Sequence, residues 1–392
     1  MNVDFKTLPL PAKMRIIIPI RNTNNEVFYA ILYQNMNSYD SLKYISNNLT
    51  NWYQANKRDL PWRDISDPYR IWISEIILQQ TRVNQGLSYY NRFIERFPTI
   101  AVLSEAEEDT VLKYWQGLGY YTRARNLHKA ATQIMTDFKG TFPVEYNQVI
   151  KLAGIGEYTA AAICSFAYNQ PYAVVDGNVY RVLSRVFAIQ TPIDSSSGKK
   201  EIAILAQDLL SKSNPALHNQ ALMEFGALQC IPAAPDCTNC PLQSVCRAYE
   251  LNLVSVLPVK SLKTKVTNRF FNYFFIRFED KTFLQKRVNK DVWQNLFEFP
   301  LIESDHLLST SELMENNIFK SMFLDAGEVE ILKTSNPMKH VLSHRIIYAQ
   351  FITINISKEN ERMKHFIQLP LKDVDYYAVS RLMELFLESR VV

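Results

Sequence analysis

Apolar residues return every three or four positions in short stretches of the first part of the chain, and then the rhythm changes. Ile71–Leu78, Val111–Trp115, Leu127–Met135, Val179–Val186 and Ile202–Leu210 each carry the spacing of one helix face. Residues 41–229 therefore read as a domain of many short helices. From residue 269 onward the pattern is different. Arg269–Phe278 and Val341–Ile356 are rich in aromatic and β-branched residues, as strands are. Helical patterns over Leu307–Leu324 and Val379–Glu388 complete an α+β second domain over 269–392. Between the two lie a cysteine-dense loop (230–250) and a linker (251–268). Lys260, Lys263, Lys265 and Arg269 punctuate that region, and no acidic residue occurs between 251 and 278. Residues 1–40 mix short apolar runs with Asn-rich segments; they suit either a small appended strand pair or an extension with little fold of its own.

Composition changes this picture little. A chain of 392 residues is long for one core, which agrees with two domains. The net charge of +4 permits a polyanionic partner without demanding one. No basic segment precedes a long apolar run near the N-terminus, and Ile16–Ile18 is too short for a signal peptide or a membrane span. The expectation is a cytoplasmic protein, in a compartment where disulfides rarely persist.

Cysteine usage carries more. Cys230, Cys237, Cys240 and Cys246 follow the spacing C-x6-C-x2-C-x5-C. Zinc sites more often use two C-x2-C knuckles set well apart; here one knuckle has two irregular arms, which suits wrapping an iron–sulfur core. Zinc stays the alternative at this point. Cys164, inside the apolar run Ala160–Ala167, reads as a buried small hydrophobe.

Two further patterns suggest chemistry. Leu152-Ala-Gly-Ile-Gly-Glu-Tyr-Thr159 joins the helical stretches Val144–Leu152 and Tyr158–Tyr168. Gly154 and Gly156 permit a tight turn and clear the space before the amides that open the second helix, an arrangement suited to a DNA phosphate. A plain helix–turn–helix corner would look the same. Thr122, Arg123, Arg125, His128 and Lys129 gather polar groups on another helix, which reads most simply as a solvated face.

Glu75 is the sole charge between Arg70 and Arg82, beside Trp72 and Ile76. Such surroundings desolvate a carboxyl and favour its protonated form. Asp176, in Val174-Val-Asp-Gly-Asn-Val179, precedes a helix and is expected to accept backbone N–H bonds that favour the carboxylate. A surface Glu and an ordinary N-cap Asp are the bland readings of each. Together they match the division of labour that cleaves glycosidic bonds: one acid for the leaving group, one anion for the sugar cation.

In this order, the Glu75 helix, the glycine hairpin, Val-Asp-Gly-Asn and the cysteine loop resemble the helix-hairpin-helix DNA glycosylases with an iron–sulfur cluster. Arg58-Asp-Leu-Pro-Trp-Arg63, Ser74-Glu-Ile-Ile-Leu-Gln-Gln-Thr81 and Gly117-Leu-Gly-Tyr-Tyr-Thr-Arg-Ala-Arg-Asn126 resemble the adenine-specific branch, the MutY type. The resemblance spans roughly residues 41–250 closely and 269–390 more loosely. It implies a monofunctional enzyme that flips out and excises adenine mispaired with 8-oxoguanine or guanine, a 4Fe-4S cluster on the four cysteines, and a monomer acting on double-stranded DNA.

Residue by residue, the resemblance makes Glu75 the acid and Asp176 the carboxylate at the sugar, with Asn178 beside it. Tyr158 stands where bifunctional relatives such as endonuclease III carry a lysine, so strand cleavage through a Schiff base is not expected. Arg58, Leu60, Trp62, Arg63 and Gln220 match residues around the flipped adenine. Gln80, Thr81, Leu118 and Tyr120 match residues that fill the emptied stack or meet the oxidised base. The second domain resembles a Nudix-like lesion-reading module anchored by Trp293-Gln-Asn-Leu-Phe-Glu-Phe-Pro300, without the nucleotide-hydrolase motif. Leu342-Ser-His344 matches a Phe-Ser-His turn, with Leu replacing Phe and Ser343 and His344 left as polar contacts. Ala153 stands where a proline is usual. A bifunctional glycosylase/lyase acting on oxidised pyrimidines and a non-catalytic lesion-binding protein are the competing readings.

Overall fold

A computed structural model describes residues 17–21, 27–31, 38–261 and 266–389. Lys263 and Lys265 of the basic linker lie outside the described residues. β1 (Ile17–Arg21) and β2 (Val27–Ile31) form an antiparallel ladder, Ile17 opposite Ile31, so the strand-pair reading of residues 1–40 is the one that fits.

Helices follow: α1 (Ser38–Asn56), α2 (Pro68–Leu78), α3 (Val83–Arg96), α4 (Ile100–Glu105), α5 (Glu108–Trp115) and α6 (Thr122–Phe138). Next come α7 (Tyr146–Val149), α8 (Glu157–Tyr168), α9 (Gly177–Val186), α10 (Ser196–Leu209), α11 (Pro215–Leu228) and α12 (Arg247–Glu250). The C-terminal part opens with β3 (Thr267–Phe278), β4 (Lys281–Lys286), β5 (Phe297–Glu298), β6 (Leu301–Ser304), α13 (Thr310–Glu315) and α14 (Asn317–Met322). It ends with β7 (Val329–Thr334), β8 (Met338–Val341), β9 (Arg345–Ile356), β10 (Ile367–Pro370) and α15 (Arg381–Glu388). Among the described residues no helix is long and apolar enough to cross a membrane.

Three expected elements differ, each for a local reason. The stretch Leu307–Leu324 splits at Asn316, whose side chain accepts from Ile318 and Phe319 N–H and starts a new helix. Val144–Leu152 contracts to the single turn α7 before the glycine hairpin. Val341–Ile356 is interrupted by a turn in which Leu342 N–H donates to the Arg345 carbonyl at 2.8 Å.

Packing divides the chain into two units, one joining residues up to Asp59 with Asn169–Ser261, the other joining Leu60–Tyr168 with residues from 262 onward. In the first unit, α1 presents Leu42, Ile45, Leu49, Trp52 and Tyr53 along one face. That face shares a core with Val182 and Leu183 of α9, Ile202 of α10, and Leu222 and Phe225 of α11.

In the second unit, α2 is buried from Ile71 through Ile77, which explains its nearly unbroken apolar sequence. Downstream, the sheet runs β10-β4-β3-β9-β7, with β3 and β9 parallel from Thr267↔Arg345 to Arg277↔Asn355. β3 is buried on both faces at its centre, as a covered sheet requires. Phe274 and Ile276 share a core with Phe319 of α14 and with Phe323. On the other face Phe275 meets Phe386 of α15, and Tyr273 stacks on Phe351 at 5.1 Å. The architecture is a helical domain followed by a strand-rich α+β domain, as the periodicities predict.

Candidate active site

Glu75 sits in the middle of α2. Asp67 caps the helix by accepting from Tyr69 N–H at 2.9 Å, and Pro68 supplies a first residue that needs no N–H partner. Because α2 is buried on all sides, Glu75 is 7% exposed. Its Oε2 accepts a hydrogen bond from the Tyr158 hydroxyl at 2.7 Å. One turn later Gln79 Nε2 donates to Thr159 Oγ1 at 3.2 Å, a second tie between the ends of α2 and α8.

The hairpin sets where α8 begins. Gly154 has φ +75, and a Cβ there would lie 2.6 Å from Asn126 Cβ, so both backbone conformation and close packing on α6 require glycine. Nothing stands within 4 Å of the Cβ position of Gly156. The amide of Ala153, which a proline would lack, donates to Gln133 Oε1 at 2.7 Å.

Arg58 and Gln220 belong to the first unit. Arg58 makes a two-pronged ion pair with Glu224 of α11, Nε to Oε1 at 2.9 Å and Nη2 to Oε2 at 2.5 Å. Glu224 is 1% exposed, and its hydrogen bond raises the Arg58 pKa. Gln220 Oε1 accepts from the Tyr53 hydroxyl at 2.7 Å. Leu60 and Trp62 are buried in the second unit, where the Trp62 ring meets Tyr90 edge-on at 5.0 Å. Arg63 N–H donates to the Leu60 carbonyl, closing the turn between them.

Asp176 caps α9. Its Oδ1 accepts from Val179 N–H at 2.8 Å, and its Oδ2 accepts from Asn178 Nδ2 at 2.7 Å. The capping expectation holds, but its electrostatic consequence is corrected. Desolvation outweighs these donors and the nearby Arg181 charge, so the Asp176 carboxyl lies above the ordinary range rather than below it. Arg181 also donates to groups around it, among them the Gly177 carbonyl at 3.4 Å. Its Nη2 donates to Asn178 Oδ1 at 2.8 Å and to the Gly226 carbonyl at 2.7 Å, and its Nε donates to the Cys230 carbonyl at 2.8 Å. A Cβ on Gly226 would lie 2.6 Å from Asn178 Cβ, so this close approach of α11 to α9 requires a glycine.

Cys230, Cys237, Cys240 and Cys246 line one cavity, together with Arg185, Phe225 and Leu242. Arg185 is 2% exposed and holds the cavity's rim, with Nη1 on Cys230 Sγ at 3.4 Å and on the Ile231 carbonyl at 2.8 Å, and Nη2 on the Pro232 carbonyl at 2.9 Å. No group of three or more His, Cys, Asp or Glu among the described residues is gathered tightly enough for a single metal ion. Four thiols around a common hollow are a donor set that fits a multi-iron core. Cys164 is fully buried and its thiol is pushed up to about 11 by burial, as an inert core residue would be.

The residues read as DNA-facing gather in the second unit. Gln80 and Tyr120 are exposed, Thr81 is partly buried and Leu118 is buried. The Tyr120 hydroxyl is hydrogen-bonded to Ser343 Oγ, which joins the helical segment to the Leu342–Arg345 turn. The His344 side chain is exposed, and its carbonyl accepts from Thr267 N–H at 3.1 Å.

Other groups escaped the sequence reading. Arg123 does not lie on a solvated face: burial lowers its pKa to about 10, and it bonds five backbone carbonyls. Arg125 donates to the Gln294 carbonyl at 2.7 Å instead of facing solvent, and Arg269 pairs with Asp291 and Glu303. Glu224 had a signal: it is the sole charge in the apolar helix α11.

A family model described as HhH-GPD superfamily base excision DNA repair protein matches residues 73–210, and a NUDIX domain model matches residues 272–389. A protein of Buchnera aphidicola subsp. Baizongia pistaciae (strain Bp), named adenine DNA glycosylase, is 38% identical over 316 residues, covering 79% of this chain and 86% of its own length. The adenine DNA glycosylase of Homo sapiens is 40% identical over 211 residues, 52% of this chain and 39% of that protein. Among solved structures, a thermostable thymine-DNA glycosylase matches with a TM-score of 0.51 and 28% identity, over 54% of this chain and 98% of that one.

Proposed function

The chain belongs to the adenine DNA glycosylases of base excision repair, and from that premise we propose that it acts on adenine opposite 8-oxoguanine or guanine. The reading is of a monofunctional enzyme working as a monomer on double-stranded DNA in the cytoplasm. Residues 41–229 carry the glycosylase chemistry and residues 269–392 read the lesion.

The observation that carries this reading is the buried Glu75, with the Tyr158 hydroxyl on its Oε2. In our scheme the nucleotide is turned out of the duplex into contact with Arg58, Leu60, Trp62, Arg63 and Gln220. Glu75 gives its proton to a ring nitrogen of adenine. The C1′–N9 bond then breaks, and its electron pair leaves with the base. Asp176, oriented by Asn178 and the Val179 amide, steadies the sugar cation as a carboxylate. Water adds to C1′, its proton returns to a carboxylate, and the products are free adenine and an abasic site. Such acid assistance supplies about 10²–10⁴-fold. A tyrosine at position 158 has no amine for a Schiff base, which supports base removal without strand cleavage.

Gly154, Gly156 and the first turn of α8 are the proposed phosphate seat. Gln80, Thr81, Leu118 and Tyr120 are proposed to offset the few kcal/mol that extrusion costs. Ser343 and His344 are the proposed contacts to the oxidised base, and the Tyr120–Ser343 hydrogen bond supports that grouping. Cys230, Cys237, Cys240 and Cys246 would hold a 4Fe-4S cluster, and their thiolates bound to it would cross-link this loop.

The test is a single-turnover assay on a duplex holding adenine opposite 8-oxoguanine. Alkali should reveal a break at the adenine, and without alkali the strand should stay whole. No alkali-labile site would end the reading, and breaks without alkali would favour a lyase.

A further inference from the structure

Gln80 and Tyr120 share an uncommon backbone state. Both carry side chains, both are exposed, and both stand in the left-handed region, at φ +57 and φ +48. That region is costly for L residues, least so for asparagine, and persists where surrounding structure holds it. One side chain reaches the backbone just before each of them. Arg123 Nη1 donates to the Ile76, Ile77 and Gln79 carbonyls at 2.8, 3.0 and 2.5 Å. Its Nη2 donates to the Leu118 and Gly119 carbonyls at 3.3 and 3.1 Å. The Gln79 and Gly119 carbonyls belong to the peptide units that lead into Gln80 and Tyr120.

The same guanidinium lies over the Tyr120 ring, 5.6 Å from its centroid, and over the Trp115 ring at 5.2 Å. The Trp115 indole also donates to the Gly119 carbonyl, at 3.1 Å. α2 has no basic residue in its own last turn, so Arg123 supplies the cation that its C-terminal carbonyls favour. Arg123 itself sits in the first turn of α6, where a positive charge gains nothing from its own helix.

We propose that Arg123 is a positioning residue that locks Gln80 and Tyr120 in their left-handed conformations, fixing both halves of the DNA wedge from one guanidinium. The proposal rests on the reading of these residues as a wedge. A lysine keeps the charge but not the planar fork that spans two loops, so it is not an adequate substitute. Asparagine tolerates the left-handed region better than glutamine, so it should lessen the need for the lock at position 80.

The experiment uses the full chain and a duplex whose target adenosine is fluorinated at the sugar 2′ position to resist hydrolysis. A fluorescent adenine analogue beside the target reports extrusion. Arg123→Lys is expected to lower the extrusion equilibrium, and single-turnover cleavage of ordinary substrate, by about tenfold or more. Affinity for fully matched duplex should stay within about twofold, because phosphate contacts are untouched. Gln80→Asn added to Arg123→Lys should recover part of the loss. All measurements are made below the variant's melting midpoint. Unchanged extrusion, an equal loss of matched-duplex binding, or no recovery by Gln80→Asn would each overturn the proposal. Tyr120→Ala and Gln80→Ala test the wedge reading separately: if neither lowers extrusion, that reading fails whatever Arg123 does.

Discussion

Replacing Asn178 with alanine should move the acid limb of the rate profile to higher pH. Asn178 Nδ2 donates to Asp176 Oδ2 at 2.7 Å, while Arg181 Nη2 holds the amide oxygen from the other side at 2.8 Å. Burial already lifts the Asp176 carboxyl, and this donor is one of the groups restraining the rise. A hydrogen bond to a charged group contributes about 1.5–3 kcal/mol. Its loss removes a donor that favours the charged form, so the Asp176 pKa rises further. The sign follows from the proposed role: if Asp176 steadies the sugar cation as a carboxylate, its neutral form cannot, and the rate rises with pH as this group ionises. The assay is single-turnover cleavage across the acid and neutral range, comparing the parent protein with Asn178→Ala. Arg181→Leu should shift the limb in the same direction by less, since it removes a charge and the amide's anchor but leaves the donor. An acid limb that does not move in Asn178→Ala would refute the reasoning.

Other outcomes follow from the same geometry. Glu75→Gln should bind the mispaired duplex with near-parental affinity in a gel-shift assay and lose about 10²–10⁴-fold in cleavage rate; a near-normal rate would remove Glu75 from the acid role. Cys237→Ser should lose the iron and the absorbance near 400 nm that a cubane on four thiolates predicts, about four irons per chain in the parent. Stoichiometric zinc in the parent would overturn that assignment. Arg287→Met leaves Glu298, a 3% exposed carboxylate paired at 2.7 Å, with only the neutral donors of Tyr273 and Gln285, and should cost about 3–5 kcal/mol in denaturant unfolding. A loss below about 1 kcal/mol would mean the pair behaves like a surface one.

Much of the candidate site's local geometry was legible because its signals are local. A lone charge in an apolar helix marks Glu75, an Asp before a helix marks Asp176, and two glycines mark the hairpin. What escaped depends on partners far along the chain. Arg123 reads as surface because three of its five carbonyl targets lie 44–47 positions upstream; no window of helical length contains them. Arg58 and Glu224 are separated by 166 positions, so neither predicts the other. The direction of the Asp176 shift was missed for a related reason: the capping donors are adjacent in sequence, while the burial that outweighs them comes from packing. Asn316 was readable in principle, since a helix-capping side chain inside a helical pattern is a sign of two helices.

The first unit has a consequence for synthesis. Ser46 of α1 bonds His218 of α11 across 172 positions, and the face of α1 built from Leu42, Ile45, Leu49, Trp52 and Tyr53 packs with residues of α9–α11. At about 5–20 residues per second, α1 leaves the ribosome roughly ten to thirty seconds before α11 exists. For that interval its oily stripe has no native counterpart. The nascent chain must keep the stripe from premature attachments until α9, α10 and α11 arrive to cover it, so mutations that make α1 stickier should reduce yield in cells more than they reduce the stability of the finished protein.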